Sequence, residues 1–275
     1  MQGTLEEAIA QRTGQTVRVT GAGRTDAGVH ALGQVVSFRV GTAIPVDRMA
    51  LALNSALPPD VRVRCVDLAP GEFNARFSAS SRVYGYLIQC GPTPSPLLRR
   101  FSAYRSRPLD VEAMRAASRH LLGERDFAAF AKELGPDEST FRNVMRLRIR
   151  RIPGFGRAGA DWGRAATDRE LIFITIEANA FVRGMVRGIV GTLIEVGAGR
   201  RSAEAMPGLI ASRDRRLAGF SAPAQGLCLL HVRYGARQRP AARGDASLRS
   251  PGKTPVLMDA WAPDARVGEP ESEEE

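Results

Sequence analysis

The chain has 275 residues, of which 44% are hydrophobic, so it can bury the core of one large domain or two modest ones. Its 39 Lys and Arg against 29 Asp and Glu give a net charge of +10, and this arginine-dominated excess favours a nucleic-acid partner, although high-GC coding bias also enriches arginine. Three widely spaced cysteines indicate neither a disulfide framework nor a zinc site, and the absence of a membrane-spanning apolar run or signal peptide predicts a cytoplasmic protein without a membrane anchor.

A glycine-rich loop near the N terminus holds a single carboxylate between two predicted strands. Thr4-Leu-Glu-Glu7 has the pattern of a capping box and predicts a short first helix. Residues 17–20 and 34–40 are rich in β-branched side chains and predict the flanking strands. Because glycines allow tight turns, the loop between these strands can present Arg24 and Asp26 to a ligand at a fixed angle.

Two common glycine-loop motifs do not fit this segment. A dinucleotide-binding fingerprint starting at Gly21 requires glycine at position 26, where Asp26 stands, and no Gly-Lys-Ser/Thr triplet of a P-loop follows. The local pattern leaves two interpretations open. Asp26 is either the centre of a chemical site or a residue that stabilises a turn through local backbone bonds.

The next segments alternate between helical and extended patterns up to a proline-rich connector. Residues 46–57 predict a helix, and residues 61–66 and 82–88 predict strands. Residues 91–96 contain three prolines and are the best candidate for a domain boundary. One face of the second strand carries Arg82, Tyr84, Tyr86 and Ile88.

Beyond the connector, Asp110 is predicted to cap a helix. Residues 144–152 alternate apolar residues with arginines and predict a strand with one buried face. The outward row of arginines fits a solvated sheet face or an RNA contact equally well. The helix is expected to bury Met114, Ala117 and Leu121, and the strand to bury Met145, Leu147 and Ile149 opposite Arg146, Arg148 and Arg150.

Residues 171–177 predict a further strand, and residues 180–196 predict the strongest helix of the chain. Each glycine in a helix costs about 1 kcal/mol relative to alanine, so we expect a stripe of three glycines to pack closely against another backbone. Arg183 and Arg187 lie beside this stripe. The stripe consists of Gly184, Gly188 and Gly191.

These elements predict an α+β protein whose sheets are each covered by helices on one side. The predicted boundaries define an N-terminal domain of residues 1–98 that holds the Asp26 loop, a C-terminal domain of residues 99–235, and a tail of residues 236–275. Because the tail is rich in Arg, Ala, Pro, Gly and Ser and ends in an acidic run, we expect it to be disordered.

Four segments, in chain order, resemble the motifs of the tRNA pseudouridine synthase A family, and the resemblance extends from about Gln2 to Tyr234. The segments are residues 23–31 with 33–36, residues 75–79 with Arg82 and Tyr84, residues 179–182 with 185–187 and 189–191, and Gly226-Leu227.

The resemblance implies a homodimeric enzyme without cofactor or metal that isomerises uridine to pseudouridine in the anticodon stem-loop of tRNA, at positions 38–40. It also implies two domains with mainly antiparallel sheets and an RNA-binding cleft between them. The site residues that it implies are Asp26 as nucleophile with Arg187 as its catalytic partner, Tyr84, Arg24 and Leu227 as substrate contacts, and Arg76, Arg82 and Arg183 as RNA contacts.

These residue types suit such a reaction. Breaking the bond between C1′ and N1, turning the uracil and rejoining it through C5 needs no redox agent and no outside group. It needs an ionised nucleophile, which a paired arginine favours, and an aromatic platform that retains the detached base. The sequence leaves open whether the carboxylate attacks the sugar or the base.

The chain departs from the family pattern at its start. It begins at the first helix, without the preceding strand that carries a Tyr-Asp-Gly motif and without the loop that carries tryptophan and glutamine. Because every later motif is intact, we expect a wrongly assigned start codon rather than a shortened protein. The alternative function is a truncated, catalytically inactive RNA-binding protein. A glycosidic-bond hydrolase is disfavoured, since no second carboxylate lies near Asp26 in the sequence.

Overall fold

The computed structural model describes residues 1–133, 135, 139–152, 170–235 and 254–257, and its architecture is a mixture of helices and mainly antiparallel strands. The predicted α+β class is therefore confirmed. The described helices are α1 (Gln2–Thr13), α2 (Val46–Asn54), α3 (Val111–Arg119), α4 (Met185–Gly197) and α5 (Met206–Ser212). The described strands are β1 (Thr20–Gly21), β2 (His30–Ala31), β3 (Val36–Ser37), β4 (Val66–Ala69), β5 (Ala79–Cys90), β6 (Ala103–Arg105), β7 (Gly123–Asp126), β8 (Phe141–Ile152), β9 (Glu170–Ala178), β10 (Leu227–Tyr234) and β11 (Thr254–Leu257).

The larger sheet has the strand order β2-β10-β5-β9-β8-β7, with β6 paired beside β5. Only the pairings of β2 with β10 and of β6 with β5 are parallel. The residues predicted to share one face of β5 are buried, and helices α3 and α4 pack on that face through apolar side chains. The buried residues of this face are Arg82, Tyr84, Tyr86 and Ile88, and the helices contribute Met114, Ala117, Met185, Ile189 and Leu193.

The smaller sheet has the strand order β1-β3-β11-β4. Strand β11 comes from the predicted tail and pairs antiparallel with both β3 and β4. The rest of the predicted tail, residues 236–253 and 258–275, lies outside the described residues, and the disorder of the tail stays a prediction.

The change from one hydrophobic cluster to the next falls earlier in the chain than the predicted domain boundary at residue 98. One cluster takes its buried residues from Leu5 to Val66, and the largest takes them from Tyr84 to Leu229. Strand β5 thus packs with the C-terminal elements although it precedes the proline-rich connector. The division into residues 1–98 and 99–235 stays a prediction.

Three predicted elements of the N-terminal part differ in the structure. Helix α1 begins at Gln2 without a side-chain cap, so Thr4 lies inside the helix and the predicted capping box is wrong. The strands that flank the Asp26 loop are only the two-residue elements β1 and β3. Residues 61–65 form no strand, and the side chain of Asn54 binds both backbone groups of Val63 at 2.8 Å, which removes them from strand pairing.

A β-bulge in β8 turns Met145 outward. Val144 pairs with Ala178 while Arg146 pairs with the adjacent Glu177, which leaves Met145 as an extra residue. Met145 is 46% exposed, so the prediction that it is buried is wrong. Beyond the bulge the predicted alternation holds, because Leu147 is half-buried and Ile149 is buried.

The two longest predicted helices of the C-terminal part are present. Asp110 caps α3 as predicted, by accepting a hydrogen bond from the backbone N–H of Ala113 at 3.0 Å. Helix α4 begins at Met185, later than predicted, because Gly184 has a φ of 77° and stands outside the helix. None of the described helices is long and apolar enough to cross a lipid bilayer.

Candidate active site

The structure brings together the side chains of Asp26 and Arg187, which are 161 positions apart in the chain. Nη1 of Arg187 donates a hydrogen bond to Oδ2 of Asp26 at 2.9 Å, and the two side chains are 19% and 29% exposed, respectively. Among the described residues, none donates a hydrogen bond to Oδ1 of Asp26. One carboxylate oxygen is thus held while the other faces the site.

The loop that carries Asp26 connects the two sheets. Strand β1 at its start pairs with β3 in the smaller sheet, and β2 at its end pairs with β10 in the larger sheet. Between them, the N–H of Val29 donates to the carbonyl of Asp26 at 3.1 Å and closes a turn. Gly28 in this turn has a φ of 80°, a conformation that side chains rarely allow. The position of Asp26 is therefore set by both sheets and by a glycine turn.

The backbone of Ala222 orients the side chain of Arg187. Nε of Arg187 donates to the carbonyl of Ala222 at 2.6 Å, and the N–H of Ala222 donates to the carbonyl of Arg187 at 3.0 Å. The guanidinium therefore binds Ala222 and Asp26 through different nitrogens. Because the group is planar and rigid, these two contacts fix the direction in which it meets the carboxylate.

Small residues of α4 allow the segment around Ala222 to approach Arg187. A Cβ atom at Gly191 would lie 1.7 Å from the carbonyl oxygen of Phe220, and a Cβ at Gly188 would lie 3.2 Å from that of Phe130. The buried hydroxyl of Thr192 accepts a hydrogen bond from Gly219 at 2.9 Å. The predicted close approach of another backbone is confirmed for Gly188 and Gly191, whereas Gly184 precedes the helix.

Tyr84 lies on β5 beside the Asp26 loop, and a Cβ atom at Gly23 would be 3.8 Å from its hydroxyl. Its ring packs edge-on against Phe181, with the ring centroids 5.1 Å apart, and is only 8% exposed. Burial raises the pKa of Tyr84 to about 12, and the nearby charge of Asp26 adds to this rise while Arg82 opposes it. The phenol is therefore protonated at neutral pH.

The other predicted substrate contacts differ in their access to the site. Leu227 begins β10 and is 6% exposed. The preceding Gly226 has no room for a side chain, because a Cβ there would lie 2.6 Å from the ring of Tyr86. Arg24 is exposed, and it forms no ion pair within the described part of the chain.

Arg82, predicted as an RNA contact, is instead buried and bound to backbone carbonyls. Its guanidinium donates to the carbonyl of Ala22 at 3.0 Å, to that of Asn179 at 2.8 Å and to that of Arg76 at 2.5 Å. Burial, the largest cause, lowers the pKa of Arg82. This guanidinium connects the start of the Asp26 loop to the ends of neighbouring segments and is 9% exposed, and its role as an RNA contact stays a prediction.

The two remaining predicted RNA contacts are exposed. The guanidinium of Arg76 lies 5.5 Å from the ring centre of Phe77, which is itself 79% exposed. Arg183 precedes α4 and forms an ion pair with Glu133. Both side chains remain within reach of a ligand at the surface.

Sequence reasoning missed two residues of the site. Phe181 packs against Tyr84, and its place directly after Asn179-Ala in the third motif is the only sequence signal for it. Ala222 acts through its backbone, for which the sequence carries no signal. In the described ranges, no group of three or more His, Cys, Asp and Glu side chains is placed to hold a metal ion.

Comparisons with known proteins agree on one family. The sequence model of the family described as tRNA pseudouridine synthase matches residues 1–78 and 117–235. A protein of Roseiflexus sp. (strain RS-1) named tRNA pseudouridine synthase A is 46% identical over 248 residues, which are 88% of this chain and 86% of that protein. Proteins of the same name from Geotalea uraniireducens and Chloroflexus aurantiacus are 38% and 43% identical over 85% of this chain, covering 89% and 80% of their own lengths.

Proposed function

Because the chain belongs to the tRNA pseudouridine synthase family, we propose that it isomerises uridine at positions 38–40 of the tRNA anticodon stem-loop, with Asp26 as the nucleophile. At the level of its family, the chain is an isomerase that acts on uridine in tRNA. The observation that supports the residue assignment most strongly is the ion pair between Asp26 and Arg187, which fixes one carboxylate oxygen and leaves the other open.

In the proposed reaction, Oδ1 of Asp26 donates an electron pair and forms a transient covalent bond to the target nucleotide. The bond between C1′ and N1 breaks, the uracil turns, and a new bond joins C1′ to C5. The hydrogen of C5 leaves as a proton to solvent, N1 takes up a proton in its place, and the carboxylate is released unchanged. Arg187 fixes the direction of the carboxylate, because its guanidinium is itself held by Ala222.

The remaining site residues would bind the target nucleotide after it has left the base stack. The side chains of Tyr84 and Leu227 would contact the uracil, while Arg24 and the exposed Arg76 and Arg183 would bind phosphates. Such contacts offset the cost of unstacking the target base, about a few kcal/mol. The position of the Asp26 loop between the two sheets supports an RNA-binding cleft between the predicted domains.

Replacing Asp26 with asparagine tests the proposed nucleophile. The amide keeps the size of the side chain but offers no ionised oxygen, so we expect tritium release from tRNA labelled at C5 of uridine to fall by at least about 10³-fold. The affinity for tRNA should stay within about threefold of wild type. The exposed Asp47, replaced in the same way, is the matched control and should change neither quantity.

Undiminished release by Asp26→Asn would place the nucleophile elsewhere. Absence of release by the wild-type chain, with tRNA binding retained, would favour the alternative of a catalytically inactive RNA-binding protein.

Arg82 is better explained as a positioning residue than as an RNA contact. It binds the carbonyl of Ala22, four residues before Asp26, and most of its donors are already taken by backbone carbonyls rather than free for a phosphate. A lysine at this position keeps the charge but concentrates its donors at one atom, so it leaves several of these carbonyls without a partner.

The variant Arg82→Lys separates the two roles by its kinetics. For a positioning residue, we expect kcat for tRNA to fall about tenfold or more with KM changed less than twofold, because the Asp26 loop is displaced. For an RNA contact, KM would rise while kcat stays unchanged. Circular dichroism of the variant at the assay temperature confirms that the comparison is made on folded protein.

We also propose that two copies of the chain form a dimer through the face of the larger sheet opposite α3 and α4. A Cβ at Gly85 on this face would lie 2.7 Å from Phe173 and 2.9 Å from Leu230, and both of these side chains are only half-buried. Val83 and Leu87 on β5 share the face and are also half-buried. A half-exposed apolar patch of this kind is typical of an interaction surface.

Action on tRNA supports a cytoplasmic location.

Light scattering tests the proposed dimer. We expect a mass of about twice the chain mass of 29.7 kDa for the wild type, and a shift to the chain mass for Phe173→Asp, because a charge on this face opposes its burial. Leu97→Asp, at a position that is 86% exposed outside the sheet, is the matched control. A wild-type mass equal to that of one chain would contradict the dimer.

A further inference from the structure

A groove lined by arginines runs along the outer edge of the larger sheet, away from Asp26. It consists of two adjoining cavities of about 300 and 340 Å³ between α3, α5, β7 and β8, and Arg119 lines both of them. We call it the basic groove and define it by Arg115, Arg119, Arg125, Arg148 and Arg150.

The charges of the basic groove are largely uncompensated. Arg115 pairs with Glu112 and also donates to the carbonyl of Ile149 at 3.0 Å. The other four arginines of the groove are exposed and form no ion pair with any residue that the structure describes. No carboxylate is among the residues that line either cavity. A concave surface that gathers guanidinium groups without counter-charges attracts a polyanion.

The geometry of the groove suits a phosphate backbone. Arg148 and Arg150 are alternate residues of the outer strand β8, with Cα atoms about 6.7 Å apart. They pair with Thr175 and Phe173 and so lie at the rim of the proposed dimer face, where each guanidinium can take a separate phosphate. Arg119 of α3 lines the same cavity, and Arg125 of β7 lines the adjoining one. Among the described residues, β7 pairs only with residues 141–144 of β8, so no described strand covers the outer edge of the rest of β8.

The basic groove lies apart from the site of Asp26 and Arg187. Leu147 beside the groove pairs with Ile176, which pairs with Tyr84, so the groove lies two strand spacings, or roughly 10 Å, from Tyr84. Strand β2, which ends the Asp26 loop, lies two strand spacings beyond β5 on the far side of Tyr84. A nucleotide held against Tyr84 therefore does not fill the groove.

We propose that the basic groove binds the phosphate backbone of tRNA at nucleotides other than the one that reacts at Asp26. This inference rests on the proposed action on tRNA and deepens it by assigning a second contact surface. The groove contributes affinity and register, and it takes no part in the chemistry. The sequence left two interpretations of the outward arginines of β8, a solvated face or an RNA contact. In this proposal, Arg148 and Arg150 are RNA contacts.

Charge reversal at two groove positions tests the proposal. For the double variant Arg119→Glu and Arg148→Glu, we expect the Kd for tRNA to rise at least tenfold at 0.1 M salt. The slope of log Kd against log salt should become shallower by about 1.5, because two phosphate contacts are lost. With saturating tRNA, kcat for tritium release should stay within about twofold of wild type.

Two further variants make the result specific. Arg119→Lys with Arg148→Lys keeps the charges and should retain most of the salt dependence. Arg12→Glu with Arg48→Glu imposes the same change of net charge on exposed residues of α1 and α2, and it should raise the Kd much less. The proposal is overturned if the groove variant binds tRNA within twofold of wild type or if the control variant loses as much affinity. Because binding is measured without turnover, a failure of catalysis does not affect this outcome.

Discussion

The guanidinium of Arg187 joins three parts of the chain on which the site depends: helix α4, the Asp26 loop and the segment at Ala222. It donates to Asp26 and to Ala222 from separate nitrogens, so it acts as a rigid spacer between a backbone carbonyl and a carboxylate. The pair is partly buried, and it is therefore less screened by solvent than a surface ion pair. A carboxylate held in this way has one oxygen fixed by the guanidinium, and in the proposed reaction the other oxygen reacts.

This arrangement depends on packing that brings backbones unusually close. The 219–222 segment reaches Arg187 only because α4 carries glycine at position 191, where a side chain would collide with the carbonyl of Phe220. The Asp26 loop is held at both ends, by Arg82 at Ala22 and by the N–H groups of Leu32 and Gly33, which donate to Leu229. Surface loops are generally mobile, but both sheets constrain the Asp26 loop.

Local patterns predicted the features that depend on neighbouring residues. The residues that share one face of β5, the cap of α3 at Asp110 and the close packing at Gly191 all followed from periodicity or residue type. Features that depend on distant partners were not predictable. The bulge at Met145 is set by pairing with β9, and the clamp formed by Arg82 is set by carbonyls from three segments. The pairing of Asp26 with Arg187 came from the resemblance to a family, because no local pattern links residues so far apart.

The most direct test of the account is the rate of tritium release under single-turnover conditions by Arg187→Lys. A lysine keeps the positive charge but has no second nitrogen to bind Ala222 and Asp26 together. If the fixed direction of the guanidinium is what prepares the carboxylate, the rate falls about 10²-fold while the Kd for tRNA stays within threefold of wild type. A rate within twofold of wild type would show that charge alone is sufficient and would contradict the account.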